Sequence, residues 1–297
     1  MRIRRTGVEV PGNVKKMVDK AATFEADWLS LDLEDSVPII DKEKVAARDN
    51  IEKFIVAGNF VARELSVRVN PPSSRWFIDD VMWATRQNIS NIVLPKVFSF
   101  EEFIYAERLI SHFNPSGSID LTLIVETPGC LVSLNDIANH STRLTALMTG
   151  IGDYAVESGS NALLPVFQDE DGARDDSHVS LLRQSIIAVA KANQWQAIEA
   201  LLPKNVKDTQ QTLDEAKKAK RYGFDGCLVV YPPHIGMCNE VFSPSPQELS
   251  WAREVIEKHE ESAQAGRAAT SVGGRPILPQ HRLAAQRIVD IAEALQK

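Results

Sequence analysis

Cysteine is scarce in this chain: Cys130, Cys227 and Cys238 are the only three in 297 residues. The number is odd, and no CxxC or Cys/His metal spacing appears. That excludes a disulfide framework and a zinc site and points to a reducing compartment. No apolar run approaches the roughly 18 residues that a transmembrane helix needs. The opening MRIRRTGVEVPG is basic but lacks an apolar core, so it does not read as a secretory signal. Basic charge is not in excess either: 33 Lys and Arg stand against 40 Asp and Glu, a net charge of −7. A dedicated nucleic-acid binder is therefore not expected. There are no repeats and no low-complexity segment. The expectation is a cytoplasmic protein with neither nucleic acid nor membrane as a partner.

What is present is ordinary globular material, 44% hydrophobic and 25% charged, enough to build a large core. Short β-rich apolar runs alternate with longer helical stretches. The runs are Val8–Val10, Trp28–Leu33, Leu65–Val69, Ile92–Leu94, Leu121–Val125, Thr145–Thr149, Gln196–Leu201 and Cys227–Tyr231. Helix starts are marked between them by Ser99 with Glu102, by Asp208 and by Ser245-Pro246 with Glu248. Asp41 and Ser177 are further N-cap candidates, and Gly223 is a helix stop. Eight such alternations with no GxGxxG after the first run predict an α/β fold, a closed (β/α)8 TIM barrel, rather than an open doubly wound sheet. The barrel is assigned to residues 1–245. Residues 246–297 form a C-terminal helical extension: a helix over Pro246–Ala265, a looser stretch, and a last helix from His281.

Barrel active sites lie at the C-terminal ends of the strands. Strand two runs into Asp32, Glu34 and Asp35. Strand three carries Arg68 and ends at Asn70. Strand four ends at Lys96, strand five at Glu126, and strand six at Gly150-Ile151-Gly152-Asp153. Carboxylates converging on one rim repel one another unless a cation binds. An oxygen site with few protein ligands suits Mg²⁺, with Mn²⁺ as the alternative. An adjacent arginine holds a substrate carboxylate. This pattern predicts a metal-dependent enzyme acting on an oxo- or hydroxy-acid.

These same residues carry a resemblance. R-R-T-x-x-x-V-P-G-N at Arg4–Asn13, L-D-L-E-D-S-V-P at Leu31–Pro38 and K-x-x-A-R at Lys44–Arg48 come first. V-R-V-N-P at Val67–Pro71, L-P-K-V at Leu94–Val97, V-E-T-P-G at Val125–Gly129 and G-x-x-D at Gly150–Asp153 follow. G-F-D-G at Gly223–Gly226 and F-S-P-S-P at Phe242–Pro246 complete the series. In this order they resemble the citrate lyase β-subunit-like family of the HpcH/HpaI aldolase/citrate lyase superfamily, which includes citryl-CoA, malyl-CoA and citramalyl-CoA lyases.

The resemblance implies Mg²⁺ on Glu126 and Asp153, with Glu34 and Asp35 acting through waters. It implies Arg68 on the carboxylate of a 2-oxo acid, and Lys20 with the Arg4-Arg5 segment on the CoA side. Lys96 is a further substrate-binding candidate. The implied partners are a CoA thioester and a 2-oxo acid, in a trimer or hexamer. The implied reaction is retro-aldol cleavage of a 3-hydroxyacyl-CoA.

Four places depart from the family pattern. An Asp is expected in the tail, where it reaches a neighbouring subunit's site, but Ile277 occupies its slot. No Asp or Glu occurs anywhere from Ser262 to Val289; the stretch carries Arg267, Arg275, His281, Arg282 and Arg287 instead. His281 is an alternative proton carrier there. Gly226-Cys227 and Val230-Tyr231-Pro232 replace G-K and I-H-P. Glu9 replaces an apolar residue on the first strand, where it faces the rim or needs a buried partner.

Overall fold

The computed structural model describes residues 2–160, 177–266 and 269–296. Eight parallel strands close into one barrel in sequence order. They are β1 (Thr6–Pro11), β2 (Trp28–Asp32), β3 (Glu64–Arg68), β4 (Asn91–Leu94), β5 (Asp120–Val125), β6 (Leu144–Thr149), β7 (Gln196–Ala200) and β8 (Gly226–Val229). All eight sequence runs are thus strands, each with a helix or helices after it. Helices α1 (Lys15–Ala21), α2 (Asp41–Ala57), α3 (Phe77–Ala84) and α4 (Phe100–Phe113) cover the first half. The second half is covered by α5 (Pro128–Val132), α6 (Leu134–His140), α7 (Ile151–Glu157), α8 (Ser180–Ala192), α9 (Thr209–Tyr222) and α10 (Ile235–Phe242).

The apolar residues divide into two barrel layers. One large cluster lies between strands and helices and includes Val8, Leu29, Leu31, Val67, Ile92 and Leu123. A second, inside the barrel, gathers Trp28, Val93, Ile124, Met148, Ile198 and Leu228. Parallel strands buried on both faces need apolar side chains on both, so they read as continuous runs. Two glycines allow close approaches. A Cβ on Gly226 would sit 1.8 Å from the Arg4 carbonyl oxygen, where β8 meets β1 to close the barrel, and one on Gly129 would sit 1.9 Å from that of Phe98.

The caps are as predicted at Ser99, Asp208 and Ser245, whose side chains accept from the N–H of Glu102, Gln211 and Glu248. Gly223 ends α9 with φ 110°. Two N-cap assignments are corrected. Ile40 holds the cap position of α2, and Asp41 is already its first helical residue, where its charge favours the helix dipole. Ser177 opens a 3-10 turn that runs into α8, so the cap position falls on Val179.

The tail is more ordered than its sequence predicts. Helix α11 (Pro246–Gln264) is followed by an antiparallel hairpin of β9 (Thr270–Val272) and β10 (Arg275–Ile277), not by a loose stretch. Gly273 and Gly274 turn the hairpin at φ 54° and 75°, as a two-residue turn of this twist requires. Helix α12 starts at Pro279 rather than His281 and runs to Leu295. Ala252, Val255, Val272, Ile277 and Ala285 form a small core of the tail's own. Arg267 lies outside the described residues.

Replacing Gly226 with alanine is expected to cost about 1–3 kcal/mol, because backbone at the β1–β8 seam has to move. Urea unfolding measures this, and an unchanged midpoint would contradict the tight closure.

Candidate active site

The site is built where β2 to β6 end. Arg68 is the last residue of β3, and its guanidinium grips Asp32 with two prongs, Nε to Oδ1 at 2.6 Å and Nη2 to Oδ2 at 2.8 Å. The same Nη2 donates to Glu9 Oε1 at 2.9 Å. Nη1 stands 3.4 Å from Glu34 Oε2. Glu9 therefore faces the barrel mouth and has the buried partner that the sequence demanded. Asp32, which the sequence places among the rim carboxylates, is instead the clamp that orients Arg68. It also accepts from the N–H of Glu34 and of Ser36 and from the Ser36 hydroxyl, and this shapes the loop after β2.

Lys96 is the second organiser. It adopts φ 46°, a left-handed conformation unusual for a side-chain-bearing residue and characteristic of functional loops. That geometry aims its N–H at Glu126 Oε1, 2.6 Å away. Its ammonium reaches Glu34 Oε1 at 2.6 Å, both oxygens of Asp35 at 2.6 and 2.7 Å, and Asp153 at 4.0 Å. Asp153 lies in the first turn of α7 and is 46% exposed, whereas Glu126 is buried. Gly150 makes room for Glu126: a Cβ there would lie 2.3 Å from that of Glu126. Thr127 caps α5 and donates its hydroxyl to the Val97 carbonyl, so V-E-T-P-G holds Glu126 against the loop carrying Lys96.

The structure thus brings together Arg68, Glu34, Asp35, Lys96, Glu126 and Asp153. It does not bring Lys20 or Arg5 to them. Lys20 is exposed in the last turn of α1, where the chain is already heading back from the rim. Arg5 precedes β1, at the opposite end of the barrel, and is tied to Asp27 at 2.8 Å and to Ser243 at 3.0 Å. Ile277 is buried in the tail core, and His281 Nδ1 accepts from the Leu278 N–H at the start of α12. Tyr231 packs edge-on against His234, and Cys227 is buried.

Sequence reasoning passed over the support beneath the rim. Lys44, fully buried, donates to the carbonyls of Leu33 and Glu34 and to Asn70 Oδ1 at 2.7–2.9 Å. Asn70 in turn is held by Asp80, which Arg48 pairs at 2.6 Å. Both basic residues stand in the K-x-x-A-R element; their spacing on α2 was the available signal.

Electrostatics divide the carboxyls. Burial pushes Glu126 up to about 8, with the Asp153 charge adding to it. Burial likewise pushes Glu34 up to about 7 against the pull of Arg68. Burial opposes ionisation of Asp32 and Asp35, but Arg68 holds the first below the usual range, and hydrogen bonds with Glu34 and Lys96 the second. Among the described residues, six carboxyls (Glu9, Asp32, Glu34, Asp35, Glu126 and Asp153) share two cations at the rim, Arg68 and Lys96, with Lys44 buried beneath them. Among the described residues Glu34 Oε2 is buried with no hydrogen-bond partner. Among the described residues no three His, Cys, Asp or Glu side chains form a ready-made metal cage. Two carboxylates with surplus negative charge around them fit a hydrated Mg²⁺ instead, because that ion keeps several waters.

The folded chain holds a proton on Glu126 that the unfolded chain releases near pH 4.5. Its stabilising effect is complete below that pH and is lost as pH rises to about 8. In metal-free protein, Glu126→Gln is expected to flatten this decline and to be more stable than the wild type at pH 8, by on the order of a few kcal/mol. Urea unfolding at pH 5 and pH 8 checks it; parallel pH profiles would contradict the burial of that charge.

Comparison with known proteins follows the geometry. The profile of the HpcH/HpaI aldolase/citrate lyase family matches residues 5–232. The citrate lyase subunit beta of Leuconostoc mesenteroides subsp. cremoris is 28% identical over 298 residues, covering 99% of this chain and 94% of that one. Human mitochondrial citramalyl-CoA lyase is 28% identical over 312 residues, covering 99% and 87%. The structure of Mycobacterium tuberculosis CitE with magnesium, acetoacetate and coenzyme A superposes with a TM-score of 0.77 at 23% identity, covering 99% and 100%. With a barrel of this topology and a profile match across most of its length, the chain belongs to the HpcH/HpaI aldolase/citrate lyase family.

Proposed function

We propose that the protein is a Mg²⁺-dependent carbon–carbon lyase that cleaves a 3-hydroxyacyl-CoA of the citramalyl, malyl or citryl type to an acyl-CoA and a 2-oxo acid. The observation that carries this reading is the convergence of Glu126 and Asp153 beside an arginine at one barrel mouth. The names of the relatives support it: one is a citramalyl-CoA lyase, and M. tuberculosis CitE holds magnesium and coenzyme A.

Glu126 and Asp153 would hold the metal, with Glu34 and Asp35 contacting it through water. When bound, Mg²⁺ supplies Lewis-acid polarisation of the oxygen that becomes the oxo group. The protein's residues do the rest. Arg68, fixed by Asp32, presents Nη1 to the substrate carboxylate and neutralises it. Lys96 fixes Glu34 and Asp35. Glu34, poised near neutrality by burial, takes the hydroxyl proton. The carbon–carbon bond breaks toward the thioester, whose enolate collects a proton at carbon. The assembly proposed is a homo-oligomer, trimer or hexamer, with the 246–297 extension packed on a neighbouring barrel.

A second reading keeps the rim and replaces the CoA thioester with a free hydroxy-dicarboxylate. It is favoured by the tail, where Ile277 sits in an apolar core and no carboxylate is available from Ser262 to Val289.

Purified protein with Mg²⁺ is expected to release an oxo acid from malyl-, citramalyl- or citryl-CoA. EDTA should abolish the release, and Arg68→Ala should lower kcat/KM by at least about a hundredfold, the loss expected of a buried charge-assisted contact. Inactivity on all three thioesters, with cleavage of a free hydroxy acid, would establish the second reading in its place.

A further inference from the structure

Glu9 is the one charged residue on the inward face of β1, a position that barrels normally fill with branched apolar side chains. It sits beside Ser30 in the β1–β2 register, and the Ser30 hydroxyl is buried without a hydrogen-bond partner among the described residues. A carboxyl is costly here unless it is paired, and its partner is the arginine of the candidate site. Arg68 already has one carboxylate partner: Asp32 takes Nε and one Nη2 hydrogen. Glu9 takes the other Nη2 hydrogen, and Nη1 makes no hydrogen bond among the described residues.

We propose that Glu9 is a positioning residue that sets how strongly Arg68 holds an anionic substrate, so that binding of a 2-oxo acid carboxylate takes up a proton from solvent at Glu9. The proposal rests on the reading of Arg68 as the carboxylate-binding group. The reason is charge arithmetic around one guanidinium. With Asp32 and Glu9 both ionised, Arg68 is outnumbered, and an incoming carboxylate meets net repulsion. With Glu9 neutral, Arg68 has one carboxylate fewer to serve, and Nη1, whose remaining neighbour is Glu34 Oε2 at 3.4 Å, is more attractive to the ligand. The charged groups facing Glu9 are Arg68 from β3, Asp32 at the end of β2, and Glu34 and Asp35 in the loop beyond it. The three carboxyls raise its proton affinity and Arg68 lowers it, while burial, the largest influence, brings it up to about 7. The competition therefore switches across the neutral range. Removing Arg68's attention to Glu9, as a bound carboxylate does, favours the protonated form further.

The test is calorimetric titration of the Mg²⁺-saturated full chain with pyruvate, at pH 6 and pH 8, in two buffers of different ionisation enthalpy. At pH 8 only about one-tenth of a carboxyl titrating near 7 is protonated, so wild type should bind about tenfold more weakly than Glu9→Gln. It should also take up nearly one proton more. At pH 6 the two should agree within about twofold. Glu9→Val, which suits a strand and carries no acid, gives the same comparison if the amide variant does not fold. A purely structural role would shift affinity equally at both pH values, and that result, or equal proton uptake in variant and wild type, overturns the proposal. Arg68→Ala separates the two levels. If it abolishes pyruvate binding while Glu9→Gln behaves as wild type, the lyase reading stands and the Glu9 proposal falls. If pyruvate binds wild type no better than Arg68→Ala, both fall.

Discussion

At the mouth of this barrel, among the described residues, six carboxyls share two rim cations with Lys44 beneath them, and the surrounding structure is arranged to hold that imbalance in place. Arg68 and Lys96 each bridge several acids, and neither could be removed without leaving buried charge uncompensated. Asp32 locks the arginine from one side. Backbone in a left-handed conformation locks the lysine from the other. Beneath them, the Lys44–Asn70–Asp80–Arg48 network fixes the loop that carries Glu34 and Asp35. A divalent cation between Glu126 and Asp153 would relieve the surplus negative charge. The charge imbalance in this region is what the proposed metal site would account for.

Most of the fold was legible in the residues because a parallel barrel strand, buried on both faces, must be apolar throughout, and short loops bounded by caps punctuate the strands. The tail hairpin was not read. Its strands are three residues each, too short to stand out from a loop, although two glycines between short apolar segments are a turn signal. The rim was legible as a list of strand-end residues, since strand polarity alone places them on one face. What could not be read was who pairs with whom. Asp32 and Glu34 are two residues apart and both acidic, yet one clamps Arg68 and the other faces the open site. Arg5 illustrates the opposite limit: it was assigned by resemblance, but it precedes its strand and so belongs to the other end of the barrel.

The departures from the family pattern fall into two kinds. Ile277 is a core residue of a small tail unit, packed with Val255, Val272 and Ala285, so a carboxylate in its slot would be buried in apolar surroundings. Glu9 is different in kind: it adds an acid to the rim and engages the arginine there. The residues proposed for the metal and the oxo acid are all present in this chain, while no Asp or Glu occurs from Ser262 to Val289 of the tail. In the proposed lyase, the proton delivered to the departing carbon would come from the rim, from solvent or from a neighbouring subunit.

The central claim is that the carboxylate surplus at Glu126 and Asp153 is a divalent-cation site now spanned by Lys96. Crystals soaked in Mn²⁺ and measured for anomalous scattering test it directly. The account predicts one strong peak in contact with both carboxylates, with the Lys96 ammonium drawn away from Asp153. A map with no peak there, or with a peak elsewhere and Lys96 still spanning the acids, would contradict it.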